Sequence, residues 1–305
     1  MKRLLLLGPI LLISGAALYL AQRRPAQEAV SANAVVDVAA DLQRDMSRVP
    51  MRITRISDRD EERIGNRLVE RYGYAEPYAN GDMASIENYV SEVGSRLAGH
   101  AQRKIEFHFH LVPDPSLINA FALPGGHVFI GGGLLGQMTT EDELAFVLGH
   151  EIEHIDHYHA VERVQIEAQL HKLDLDVFAA AAQIPLTLWQ AGYSKDEEFE
   201  ADREGLRIAA AAGYSPRGAV EMLQRFVQLD REYVIHAQTP TGELSQLAIQ
   251  GLQGYFRSHP MPSERLAQAR NLILQDRLPA DQPTTPLRVE PAFGTGDRGR
   301  DFTDR

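Results

Sequence analysis

Hydrophobic and polar residues recur along this chain with two different periods. From Asp58 the apolar positions fall at helical spacing. Ile64, Leu68 and Val69 mark one helix and Ile86, Tyr89, Val90, Val93 and Leu97 a second, with Gly81-Asp82 between them. Lys104 to Leu111 alternates strictly, which predicts a strand ended by Val112-Pro113-Asp114-Pro115. Two short runs, Ala120-Phe121-Ala122-Leu123 and His127-Val128-Phe129-Ile130, flank the turn Pro124-Gly125-Gly126 and predict a β-hairpin. Helical spacing then returns. It predicts a helix from Thr140 to Arg163, a mainly helical stretch to Trp189 kinked at Pro185, and a helix from Ser194 to Ala212 closed by Gly213. A further helix runs from Ser215-Pro216 to Asp230, with proline in its first turn, and a last one from Ser263 to Leu274. Residues 232–258 have weaker periodicity. The pattern reads as an α+β, mainly helical domain over residues 58–278, with a small hairpin. Residues 23–57 read as a linker. The Pro-, Gly-, Asp- and Arg-rich stretch 279–305 predicts a disordered tail.

The first residues follow a different pattern. Lys2-Arg3 precede an apolar run from Leu4 to Ala21, and Arg23-Arg24 follow it. The run just reaches the length of a membrane anchor. Residues 1–22 therefore read as an anchor in the bacterial inner membrane, with the domain in the periplasm. The alternative is a secretory signal, cut near Ser14-Gly15-Ala16, and a secreted domain. The net charge of −11 excludes the basic surface of a nucleic-acid binder. There is no cysteine, so any metal must be held by histidine and carboxylate.

The chemistry centres on His150-Glu151-Ile152-Glu153-His154. On a helix, residues four apart share a face, so His150 and His154 can grip one metal ion. Glu151 is then placed to act on a water at that metal, as a zinc peptidase requires. Thr140 and Glu143 have capping-box spacing, and acidic residues crowd the first turn, so the motif lies inside a well-started helix. A hydrolytic zinc site takes three protein ligands. No further histidine follows at the spacing that a His-x-x-Gly-x-x-His continuation would require. The acidic segment Asp196 to Glu204 offers the third ligand: Glu198 and Asp202 share a face, with Glu198 on the metal and Asp202 behind a ligand histidine. Glu200 points elsewhere on that helix and is the rival ligand. Such a run is also what an ordinary solvated helix face looks like.

His150-Glu-x-x-His154, Glu198-Phe199-Glu200-Ala201-Asp202 and His259-Pro260, in that order, resemble the membrane-associated zinc peptidases that include HtpX, the CAAX prenyl protease and BepA-like proteins (metallopeptidase family forty-eight). Asn119-Ala-Phe-Ala-Leu-Pro-Gly-Gly, Asp142-Glu143-Leu144-Ala145 and His159 are similar as well. The resemblance covers residues 60–275. It implies a zincin-like (gluzincin) catalytic domain, one zinc ion on His150, His154 and Glu198, and His259 beside the site as a transition-state donor or a removable extra ligand. The chain departs from the pattern at Glu153 and Tyr158, neither of them a ligand.

The expected activity is endopeptidase cleavage of misfolded or envelope proteins, with a zinc-bound water attacking and Glu151 as general base. Asn119, Ala120, Phe121 and Ala122 are expected to pair as an exposed strand edge with substrate backbone. The rival reading is a latched or non-proteolytic assembly factor; the intact Glu151 argues against a purely structural zinc. His108 and His110 share a strand face, and His127, His157 and His159 read as structural or exposed.

Overall fold

Helices cover both faces of a small sheet. The computed structural model describes residues 56–72, 78–79, 81–170, 174, 192–238, 255–256, 259 and 261–288, all within the unit Ser47–Arg305. The expected anchor (1–22), the linker through residue 55 and the Pro185 kink lie outside the described residues. No described helix is long and apolar enough to cross a membrane.

Helices α1 (Asp58–Tyr72) and α2 (Gly81–Ala98) precede strand β1 (His108–Val112), which starts four residues later than the alternation predicts. The hairpin follows as β2 (Ala120–Leu123) and β3 (His127–Gly131), antiparallel with Phe121 opposite Phe129. β1 joins β3 in parallel, so the order is β1-β3-β2. The turn needs its glycines: Gly125 and Gly126 have φ of 77° and 92°, and a Cβ on Gly126 would stand 1.9 Å from Glu106 O.

Strand alternation sends side chains to two cores. Phe109, Leu111, Ala120, Ala122, Val128 and Ile130 join the main core with α2. Phe121, Leu123 and Phe129 join a smaller one with Ile64, Leu68 and Val164. Both faces of β2 are therefore covered. β2 is terminal in the sheet, and the residues Asn119, Ala120, Phe121 and Ala122 are all buried.

A short helix α3 (Gly132–Leu135) leads to α4 (Glu141–Asp156), which carries the motif. Its predicted capping box is present: Glu143 N–H donates to Thr140 Oγ1 at 3.2 Å, and Thr140 N–H to Glu143 Oε2 at 3.0 Å. The helix predicted to run on to Arg163 breaks instead at His157-Tyr158, and α5 (His159–Leu170) follows. Tyr158 has φ of 65°. The break follows from tertiary bonds: Asp156 accepts from the N–H groups of Gln102 and Arg103, and Arg103 donates to Ile155 O at 2.8 Å. Helix α6 (Lys195–Ala211) begins at a second capping box, Ser194 with Glu197. Helices α7 (Arg217–Gln238) and α8 (Pro262–Gln275) complete the described body, α7 running eight residues past the predicted end.

The predicted disordered tail is also corrected over residues 279–288. Glu141 N–H donates to Thr285 O at 2.8 Å and Thr285 N–H to Asp142 Oδ2 at 2.6 Å. Arg288 Nε donates to Glu141 Oε2 at 3.1 Å. The segment satisfies polar groups at the start of α4, an attachment that residue composition does not encode.

Candidate metal centre

The approach of α4 to α6 builds the site. Gly149 and Gly205 face each other where these helices cross; a Cβ on Gly205 would lie 2.7 Å from His150 N. With no side chains between them, the backbones nearly touch. Glu198 and Asp202, two turns and one turn before Gly205 respectively, are thereby brought against the motif histidines.

Four donor atoms converge. His150 Nε2 and His154 Nε2 are 3.1 Å apart. Glu198 Oε1 is 3.4 Å from His154 Nε2, and Glu198 Oε2 is 3.7 Å from His150 Nε2. His259 Nδ1 is 3.3 Å from His150 Nε2 and 3.1 Å from Glu198 Oε1. All four residues are buried. Donors about 2.1 Å from one tetrahedral ion stand about 3.4 Å apart, so these spacings fit zinc.

The proton positions fit as well. His150 Nδ1 is 3.0 Å from Asp202 Oδ1, which assigns the ring proton to Nδ1 and the lone pair to Nε2. His154 Nδ1 faces His159 Nδ1 at 3.1 Å, leaving its Nε2 for the centre. Lone pairs turned toward one another in a buried space call for a cation between them.

Each carboxylate is differentiated by its surroundings. Burial works against the Glu198 charge, but His259, Arg265 and His150 outweigh it and hold the carboxyl well below its usual range. Asp202 is also lowered: burial is outweighed by Arg265, which donates from Nε and Nη2 at 2.7 and 2.6 Å. Glu151 differs in kind. Burial raises its pKa, and its Oε2 has no hydrogen-bond partner among the described residues. A carboxylate oxygen without a hydrogen bond, on the residue next to His150 and beside the convergent imidazoles, is matched to accepting a proton.

Thus His150, His154, Glu198, Asp202 and His259 come together, with Glu151 Oε1 3.7 Å from His259 Nε2. Ala120 to Ala122 lie on β2, which packs against α4, and Asn119 immediately precedes that strand. Glu200 stays outside the set and faces His157 and His159 instead. His127 and His159 are buried, and His110 Nε2 pairs with His127 Nδ1 at 3.0 Å rather than with a metal set.

Arg265, six residues after His259 and expected from the sequence beside it, clamps Asp202 and stands 3.0 Å from Glu198 Oε2. One member escaped sequence reasoning. Tyr193 stacks on His154 with ring centroids 3.6 Å apart, and nothing in the periodicity marks it.

A family model, Peptidase family M48, matches residues 84–273, which is more than half of the chain. The chain belongs to Peptidase family M48. Its mainly helical body with a three-stranded sheet is thus the zincin-like metallopeptidase domain of that family. Similar proteins include the beta-barrel assembly-enhancing protease of Escherichia coli (strain K12), 28% identical over 237 residues, which cover 71% of this chain and 44% of that protein. The beta-barrel assembly-enhancing protease of Yersinia pestis is 28% identical over 204 residues, 61% of this chain and 38% of that protein. The mitochondrial metalloendopeptidase OMA1 of Schizosaccharomyces pombe is 34% identical over 148 residues, 45% of this chain and 43% of that protein. The M48 chain described here spans less than half the length of these relatives.

Proposed function

We propose that this M48 domain is a zinc-dependent endopeptidase acting on misfolded proteins of the bacterial envelope, held at the inner membrane by residues 4–21. The observation that carries the reading is the buried, hydrogen-bond-free Glu151 Oε2 beside the convergent His150, His154 and Glu198. A zinc ion on those three residues would supply Lewis acidity to a water and to the scissile carbonyl. Glu151 takes a proton from the attacking water and returns it to the leaving amine. Its raised pKa suits both transfers, because the base must release what it has accepted. Asp202, itself gripped by Arg265, holds the His150 ring in the ligating tautomer.

Substrate backbone pairs with the outer edge of β2, the terminal strand of the sheet, near Asn119. The Asn119 Oδ1 atom is buried without a hydrogen-bond partner among the described residues, which supports an acceptor kept for a client N–H. Backbone pairing selects extended, unfolded segments over particular side chains. The relatives' names, one for β-barrel assembly and one for mitochondria, support a membrane-bounded setting.

The test is proteolysis of an unfolded protein by zinc-loaded wild type and by Glu151→Gln. Cleavage by wild type alone is expected, with a loss of about a hundredfold or more in the variant. Equal cleavage by both would overturn the assignment of Glu151.

A second reading concerns the resting state. His259 Nδ1 stands where a fourth ligand would, within 3.3 Å of both His150 Nε2 and Glu198 Oε1. That geometry favours a latch over a transition-state donor. A latched enzyme, or an assembly factor that never opens, would both look this way. His259→Ala separates them: proteolysis rises about tenfold or more from a latched enzyme and stays absent from an assembly factor.

A further inference from the structure

A second set of ligand atoms lies beyond the motif, at the break between α4 and α5. His157 and His159 bracket Tyr158, and Glu200 faces both from α6. His157 Nδ1 is 3.5 Å from Glu200 Oε1, and His159 Nε2 is 3.5 Å from Glu200 Oε2. One ligand atom from each of the three residues lies within 4.8 Å of the others. The 3.5 Å separations match the edge of a tetrahedron of about 3.4 Å that zinc–ligand bonds of about 2.1 Å produce.

A carboxylate stands behind this set too. Glu153 is 1% exposed, and its Oε2 lies 3.2 Å from His157 Nε2. Neither atom has an aligned hydrogen bond among the described residues. A small rotation of His157 toward an ion would align its Nε2–H with Glu153 and leave Nδ1 as the ligand. Asp202 stands in the same relation to His150.

We propose that His157, His159 and Glu200, with Glu153 behind His157, form a second site for a divalent ion of zinc's class. Two imidazole nitrogens and one carboxylate oxygen suit that class. The side chains of His157 and Glu200 are 24% and 36% exposed, so an ion can enter from solvent without disturbing the buried set. The two sites are in contact, because His159 Nδ1 lies 3.1 Å from His154 Nδ1. When each ring ligates through Nε2, each Nδ1 carries a hydrogen, and two N–H groups face each other. Each ion therefore lowers the affinity for the other. The coupling rests on His154 holding the catalytic ion; the second site does not.

The experiment is a zinc titration of the chelator-stripped full chain in detergent micelles against a chromophoric chelator. Wild type is expected to take up two equivalents, the second at least tenfold more weakly. His157→Gln changes a partly exposed residue outside the catalytic set, and it should lose only the weaker equivalent. Glu200→Gln is the second variant, and far-UV circular dichroism checks that each is folded. A single equivalent in wild type up to millimolar free zinc would overturn the proposal. So would a second equivalent that survives in both variants, which would then be bound elsewhere. Ion counting needs no turnover, so failure of the Glu151→Gln cleavage test would leave this result standing.

Discussion

Gly205→Ala probes the contact on which the metal geometry depends. A Cβ at Gly205 would meet His150 N at 2.7 Å and Gly149 C at 2.9 Å, where ordinary contact begins near 3.4 Å. Both neighbours are helix backbone, so neither can swing aside. Helix α6 must then back away from α4 by roughly 0.5–1 Å. Glu198 lies about 10 Å up the axis of α6 and Asp202 about half that, so a rigid shift carries both away from His150. Metal–ligand distances tolerate only about 0.2 Å. Zinc affinity should therefore fall at least tenfold, or about 1.4 kcal/mol. Overpacking should also lower the unfolding free energy of the zinc-free chain by about 1–3 kcal/mol, which leaves most molecules folded. Denaturant titration without metal and chelator competition for zinc give the two numbers. Gly99→Ala is the control, since its Cβ would find its nearest neighbour at 3.4 Å. Wild-type zinc affinity in a destabilised Gly205→Ala would show that the crossing does not set the ligand positions.

Arg265→Met should cost the zinc-free chain about 3–5 kcal/mol, because Asp202 and Glu198 lose their buried cation. Zinc should restore part of that loss by neutralising Glu198, and an equal loss with and without zinc would rule out this role. Acid sensitivity is expected from His110 and His127, held near pKa 4 and 3 by burial and by neighbouring histidines. Their folded values lie below the unfolded value near 6.5, so the stability they contribute is complete above that pH and is lost as pH falls toward 4 and 3. Melting temperatures between pH 7.5 and 5 should fall less steeply in His110→Phe, where a ring still stacks on Phe129; an unchanged slope would reject the assignment. A chain ending at Pro279 should lose about 1–3 kcal/mol, since Asp142 and Glu141 give up Thr285 and Arg288. Unchanged urea denaturation would mean that this segment does not brace α4.

What could be read in advance was whatever the chain encodes locally. The capping box at Thr140 and Glu143, the i,i+4 pairs His150/His154 and Glu198/Asp202, and the Pro-Gly-Gly turn all depend on neighbours a few residues away. The break at Tyr158 was illegible for the opposite reason. Tyrosine carries no turn signal, and the helix stops because Asp156 and Arg103 bind across a separation of more than fifty residues. The ordering of residues 279–288 has the same cause, since its partners are Glu141, Asp142 and Ser215. The acidic first turn of α4 was legible as a complement to the helix dipole, but that account is incomplete. Glu141 accepts from Tyr89, Tyr214, Arg96 and Arg288, Asp142 from Ser215 and Thr285, and Glu143 from Arg225. Those three residues tie α2, the segment after α6, α7 and the tail to the start of the helix that carries the motif. The same helix is fixed at its far end by Arg103 on Ile155 O. His150 and His154 thus sit on a rod clamped at both ends, while Glu198 arrives on a second rod whose distance is set at Gly205. Movement at this centre is then left to His259, which among the described residues is the one convergent donor not carried on either helix.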